Sequence, residues 1–338
     1  KWRLFCPSEF YKAQQFVAGE FLDKIYCGEM MNRILTLTIF SSILFSQEWA
    51  GLPGGFLRMN ATSRSVAMGG GFTAEMDRSF AVIHNPAWAA FLVERQVGFS
   101  YSNLSLDRRL AATSFAANLP PTAGIGIAWI NAGVTDIQGR TTTGEKSTMM
   151  QTGENAFLFT FSQRILPWLS IGSNVKILWY DLPLTESDQL TGKGIGFDIG
   201  ILIKTGDYNT LGIMIQDLSS NYQWNTGDLY AEGRTYKDEF PTIYRIGSRT
   251  KYKELNLVGD VGFITDHKSF VGSLPREGVE FAFLDMYYFR GGYRKDQISL
   301  GFGYEYGLIK ARDSHLDYAF SMDWATQTAH TISYAFSF

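Results

Sequence analysis

The sequence predicts an all-β protein: a transmembrane antiparallel β-barrel of about 14 strands, preceded by a short N-terminal plug or cap segment. Three observations predict it. Apolar residues alternate with small or polar ones, with period two, through most of the chain after residue 95. The chain ends on such a strand, with Ile332, Tyr334, Phe336 and Phe338 on one face and Thr331, Ser333, Ala335 and Ser337 on the other. Aromatics make up 15% of the 338 residues and charged residues only 19%, against a globular norm of about 25%. A soluble β-sandwich shares the alternation, and the second face separates the two. That face carries Gly, Ser, Ala, Asn and isolated charges, unlike the dense Lys/Glu mixture of a soluble surface.

The net charge of −3 gives no basic footprint, so no nucleic-acid partner is expected. Both cysteines, Cys6 and Cys27, precede residue 31, which leaves the main body without a disulfide framework or a cysteine metal site. Residues 30–50 read as a signal peptide. Arg33 supplies the basic start, Ile34 to Phe45 the apolar run, and Ser46 and Ala50 are both suitable boundary residues. Residues 1–29 lie upstream of that start and read as an extension that is not part of the working protein.

Residues 51–94 carry no regular alternation and are expected to form a plug or periplasmic cap. The Gly run Met68-Gly69-Gly70-Gly71-Phe72 and the turn Asn85-Pro86-Ala87-Trp88 bound a stretch, Phe72 to Ala81, that suits a short helix. The barrel is expected over 95–338. Its clearest strands centre on Phe99, Ile127, Phe159, Val175, Ile199, Ile213, Leu257, Phe281, Phe289, Phe302, Tyr318 and Tyr334, with weaker ones at Arg109–Asn118 and Phe240–Thr250. Each is about ten residues, enough for a tilted strand to cross a bilayer. Long connections are expected at 133–152, 182–192, 218–239 and 266–276, with short ones between them. An up-and-down barrel alternates in this way, with its long loops outside.

At the front stand Phe56-Leu57-Arg58-Met59, Ser63 to Gly70, Asp77 and Asn85-Pro86-Ala87. At the back stand Phe289-Arg290-Gly291-Gly292-Tyr293, Leu300-Gly301-Phe302-Gly303 and His315 to Phe320. In their order and spacing these segments resemble the PorV/PorQ family, a branch of the FadL-like barrels, over about residues 56–338. Gly71, Arg78 and Trp88 depart from that family's usual residues. The resemblance implies a 14-stranded barrel in the bacterial outer membrane, reached by Sec export. It implies a secretion-accessory barrel of the type IX kind, holding secretion-system proteins or cargo. The alternative it implies is a FadL-like transporter of a small hydrophobic ligand, with outer-membrane lipid as the surrounding partner in both cases.

Enzyme chemistry is not expected. The four histidines hold no metal-ligand spacing, no Gly-x-Ser-x-Gly elbow is present, and Thr191-Gly192-Lys193-Gly194 lacks the upstream Gly of a phosphate loop. No cofactor is implied. The candidate residues are inward-parity charges: Lys176, Asp198, Arg245, Asp260, Glu280, Arg290, Arg294, Glu305 and Asp317. Glu280 and Arg290 flank the Asp285 turn and could pair across strands. These charges either neutralise one another in a filled lumen or form a polar gate that anchors the plug through Arg64 or Asp77. Asn85 and Pro86 are either the bend into the first strand or a hinge. Tyr222, Trp224 and Tyr230 are aromatics in a polar loop, read as an exposed partner-contact patch or as self-packed residues.

Overall fold

The computed structural model describes residues 51–184, 188–227, 229, 231–266, 268–295, 297–309 and 313–338; the expected extension and signal peptide, and Tyr230, lie outside them. Sixteen strands form one antiparallel sheet. They are β1 (Gln96–Leu104), β2 (Arg108–Leu119), β3 (Ala123–Arg140), β4 (Lys146–Leu166), β5 (Leu169–Pro183), β6 (Gln189–Lys204), β7 (Asn209–Leu218) and β8 (Asn221–Asn225). Then follow β9 (Thr235–Glu239), β10 (Thr242–Tyr252), β11 (Leu255–Thr265), β12 (Phe270–Phe283), β13 (Tyr287–Arg294), β14 (Gln297–Tyr306), β15 (Ser314–Asp323) and β16 (Gln327–Ser337). β8 and β9 are a hairpin whose ladder joins the wall through β6. The other 14 pair neighbour to neighbour, and β1 pairs with β16 from Gln96↔Ser337 to Leu104↔Ala329, closing the cylinder. Closure removes every free edge from the hydrocarbon layer, where an unpaired backbone group is costly.

The greasy face points outward. Phe161 is 52% exposed, Leu300 61% and Ile332 56%, while Thr331, Ser333 and Ala335 on the opposite face of β16 are buried. Large side chains exposed in this regular way along successive strands would be intolerable in water, and they suit a bilayer.

Two sequence expectations change. The segments expected as long connections at 133–152, 182–192 and 266–276 are mostly strand: β3 and β4 run 18 and 21 residues and meet across a short turn at 141–145. Their outer parts rise beyond the apolar band, so they lost the apolar alternation that marks a strand. On the other side, β13 to β16 are 8 to 11 residues long. One side of the rim is therefore high and the other low. The expected helix at Phe72–Ala81 is instead bends. The short helices are Ser63–Ala67 and Ala81–His84, with 3-10 turns at Gly55–Arg58 and Pro86–Phe91. Ser63–Ala67 starts where Thr62 Oγ1 accepts the Ser65 N–H.

These N-terminal turns fill the lumen. The helix Ser63–Ala67 lies against β13 to β16, and Pro86–Phe91 against β2 to β6. Glycines on the inward face permit the approach: a methyl group added at Gly292 would overlap the Gly69 amide, and one at Gly124 the Ala89 carbonyl. The closing seam is itself tied to the filling. Ser63 donates its N–H to Ser333 Oγ at 2.8 Å, and Ser333 Oγ donates to Ser100 Oγ at 2.8 Å, joining plug, last strand and first strand.

Candidate functional site

Burying a charge is costly unless it is paired, and most of the inward charges sit in two networks and a smaller cluster. The larger joins plug to wall. Arg64 reaches out from its helix and donates Nε to Glu280 Oε2 at 2.9 Å and Nη2 to Glu280 Oε1 at 2.8 Å. The same Nη2 donates to Glu75 Oε1 at 3.0 Å, and Arg249 Nε lies 2.9 Å from Glu75 Oε2. Glu280 also accepts from Arg290 Nε at 2.6 Å; the two face each other in the β12–β13 ladder. Arg290 donates onward to Asp317 at 2.6 Å. At the end of the barrel where β1 begins and β16 ends, Arg78 donates to Glu305 at 2.8 Å and lies 2.6 Å from His315 Nε2, while Tyr288 also bonds Glu305.

The second network holds Lys176, only 1% exposed, between Asp198 and Asp217. Asp198 also accepts the Asp217 N–H at 2.9 Å and an Asn174 N–H at 3.1 Å. Asp260 binds the plug directly, accepting from Thr73 Oγ1 at 2.7 Å. Arg245 is buried with its Nε unbonded, and Arg294 lies 3.8 Å from Asp323.

Of the two expected plug anchors, Arg64 touches the wall. Asp77 does not: it bonds Thr62 and, at 3.0 Å, His84 Nε2, and so ties the plug to itself. Asn85 accepts the Ala87 N–H at 3.1 Å and donates to the Thr73 carbonyl at 2.7 Å. It and Pro86 are buried deep in the lumen, several residues before β1.

Of the two readings of Tyr222 and Trp224, the structure shows self-packed residues and not an exposed patch: they are 1% and 9% exposed. The β8–β9 hairpin folds inward, so Tyr222 packs edge-on to Phe240 at 4.9 Å and tilted on Tyr180 at 5.9 Å. Trp224 packs on Tyr180 at 5.5 Å and donates Nε1 to Asp238 at 2.9 Å. Burial, with the Glu154 carboxylate beside it, pushes the Tyr222 phenol well above its ordinary pKa. The hairpin caps one side of the barrel mouth with aromatic rings.

Beneath that cap runs an apolar seam. Leu110 and Ala112 on β2, Ala128 and Ile130 on β3, Ala156 and Leu158 on β4 and Leu178 on β5 face Phe56, Phe80 and Val82 of the plug in one cluster. The larger charge network gathers on the opposite wall, β11 to β15, while Lys176, Asp198 and Asp217 lie on β5 to β7 beside the seam. At the low rim, a cavity of about 170 Å³ opens between plug and wall. Its lining includes Arg108, Arg294 and Asp323, and also Met59 and Leu104, which pack on the seam. The vestibule and seam therefore meet. Sequence parity marked the inward wall, but nothing in the irregular plug sequence announced Glu75, Phe56 or Phe80 as its partners.

No family model and no curated protein matches this sequence. Solved structures do. A toluene transporter, TbuX from Ralstonia pickettii, superposes with a TM-score of 0.60 at 14% identity, over 82% of this chain and 98% of that one. A FadL homologue from Pseudomonas aeruginosa gives 0.61 at 12%, over 83% and 99%. The toluene transporter TodX from P. putida gives 0.59 at 14%, again over 83% and 99%. The likeness spans nearly the whole of each of these barrels at very low identity, and what it establishes is that this chain has the FadL-like barrel fold.

Proposed function

We propose that the protein sits in the bacterial outer membrane and passes a small hydrophobic molecule inward from its outer mouth. The carrying observation is the apolar seam between plug and β2–β5, joined at Met59 and Leu104 to the vestibule at the low rim. A solid scaffold has no need to gather one apolar seam along its plug, whereas a hydrophobic solute needs a continuous apolar path. The structural neighbours include toluene transporters and a FadL homologue, which supports the same reading. It replaces the secretion-accessory role that the sequence motifs suggested. The seam is packed with side chains, so passage requires Phe56, Phe80 and Met59 to shift, and with them the plug.

The test is uptake by cells lacking their own hydrophobic channels, given toluene and, separately, a long-chain fatty acid. Expression should speed entry of at least one probe. Leu158→Asp, which places an unpaired carboxylate on the seam at a cost of several kcal/mol, should abolish the gain while folded barrel remains in the membrane. Entry no faster than in cells with empty vector, for both probes, would overturn the proposal.

A further inference from the structure

The outer surface has a step in it. β7 leaves the edge of β6 after the Phe197↔Leu218 pair, with Asp217 and Ser219 at φ of 62° and 54°. The hairpin returns to the same edge only at Lys193↔Gln223 and Gly192↔Trp224. In between, the chain crosses close over Gly194 and Gly196, and a groove of about 550 Å³ is left on the outer surface. It is lined by Ile177, Trp179, Lys193, Ile195, Asn221 and Gln223, among others. A second groove of about 530 Å³ continues above it, sharing Lys193 and Gln223 and adding the polar Gln189, Thr191, Asn225 and Thr235.

The groove lies on a chemical boundary. In register across β3 to β6, Trp129, Phe157, Ile177 and Ile195 form an apolar row. One step higher, Asn131, Asn155, Trp179 and Lys193 form the next outward row, continued by Gln223. Trp129, Phe157 and Trp179 stack at 6.0 and 5.7 Å, as rings do at a membrane interface. Below the row, the outward residues on these strands, such as Phe159, Val175 and Phe197, are apolar and exposed. Lys193 is exposed and makes no ion pair among the described residues.

We propose that this groove binds a phosphate-bearing lipid of the outer leaflet. An acyl chain lies along Ile177 and Ile195, and the anionic headgroup rests on Lys193 and the Gln223 amide. The pairing follows from height: the ammonium stands where hydrocarbon gives way to headgroup, over a slot made for a chain. The inference rests on the membrane placement proposed above, but not on what the lumen carries.

The test is native mass spectrometry of the purified barrel in neutral detergent, with phosphatidylglycerol or diacylglycerol added. The wild type should retain phosphatidylglycerol in preference to diacylglycerol. Lys193→Gln should weaken that retention by about five-fold, the worth of one interfacial charge. Lys193→Arg should keep it, and Lys253→Gln, at the β10–β11 turn on the other end of the barrel, should leave it unchanged. Equal retention of phosphatidylglycerol and diacylglycerol by the wild type would overturn the proposal, as would unchanged retention by Lys193→Gln. Hydrophobic uptake should be the same in wild type and Lys193→Gln, so this inference and the transport reading fail separately.

Discussion

Arg64 is the residue through which the plug holds the wall. Its guanidinium meets both oxygens of Glu280 and one of Glu75. Removing one partner of a buried ion pair costs about 3–5 kcal/mol, because the other is left charged and dry. Arg64→Ala is therefore expected to loosen the plug and raise single-channel conductance in planar bilayers, while heat-modifiable gel mobility shows the barrel intact. Arg290 contacts Glu280 and Asp317, both wall residues. Arg290→Ala should raise conductance less, because it disturbs the plug only through Glu280. Conductance equal to wild type in Arg64→Ala would remove the plug-anchor role. Parity along a strand told which of these charges point inward. It could not tell that Asp77 turns back onto Thr62 and His84, since the plug has no repeat from which a direction can be read.

Among the elements, the β8–β9 hairpin carries most of the difference between sequence and structure. Its aromatics lie in a polar stretch, so composition suggested exposure. The alternation Tyr222, Trp224 against Gln223, Asn225 holds the correct answer, because one face of a short hairpin turned inward buries both rings. Truncating a buried aromatic typically costs about 3–5 kcal/mol. Tyr222→Ala is expected to free the hairpin and make its backbone amides exchange with deuterium faster, leaving β1, β2 and β14 to β16 protected. If the seam below is a route, the same variant should change the uptake rate without changing the amount of barrel in the membrane. The barrel strands themselves were legible because their outer face meets a uniform apolar solvent, which leaves an unbroken period-two signal. Where β3 and β4 rise above that band the signal stops, and their upper halves read as loops.

At the scale of the whole molecule, the structure is a cylinder whose exterior is its greasy surface. The mature protein is expected to partition into the detergent phase in Triton X-114 separation. Recovery in the aqueous phase as a dispersed monomer would contradict the architecture. The overall plan was legible from the terminal strand and the small-residue inner face. The gathering of the larger charge network opposite the apolar seam was not, since it depends on which plug residue meets which strand.

The hydroxyl chain Ser63–Ser333–Ser100 spans the line where the first and last strands meet. A segment that precedes β1 is thus clasped by the strand that closes the cylinder, with Gly124 and Gly292 bringing its backbone against the wall. A sheet whose β16 had not paired with β1 would lack half of that clasp, so closing the cylinder and seating the plug are coupled through one hydroxyl.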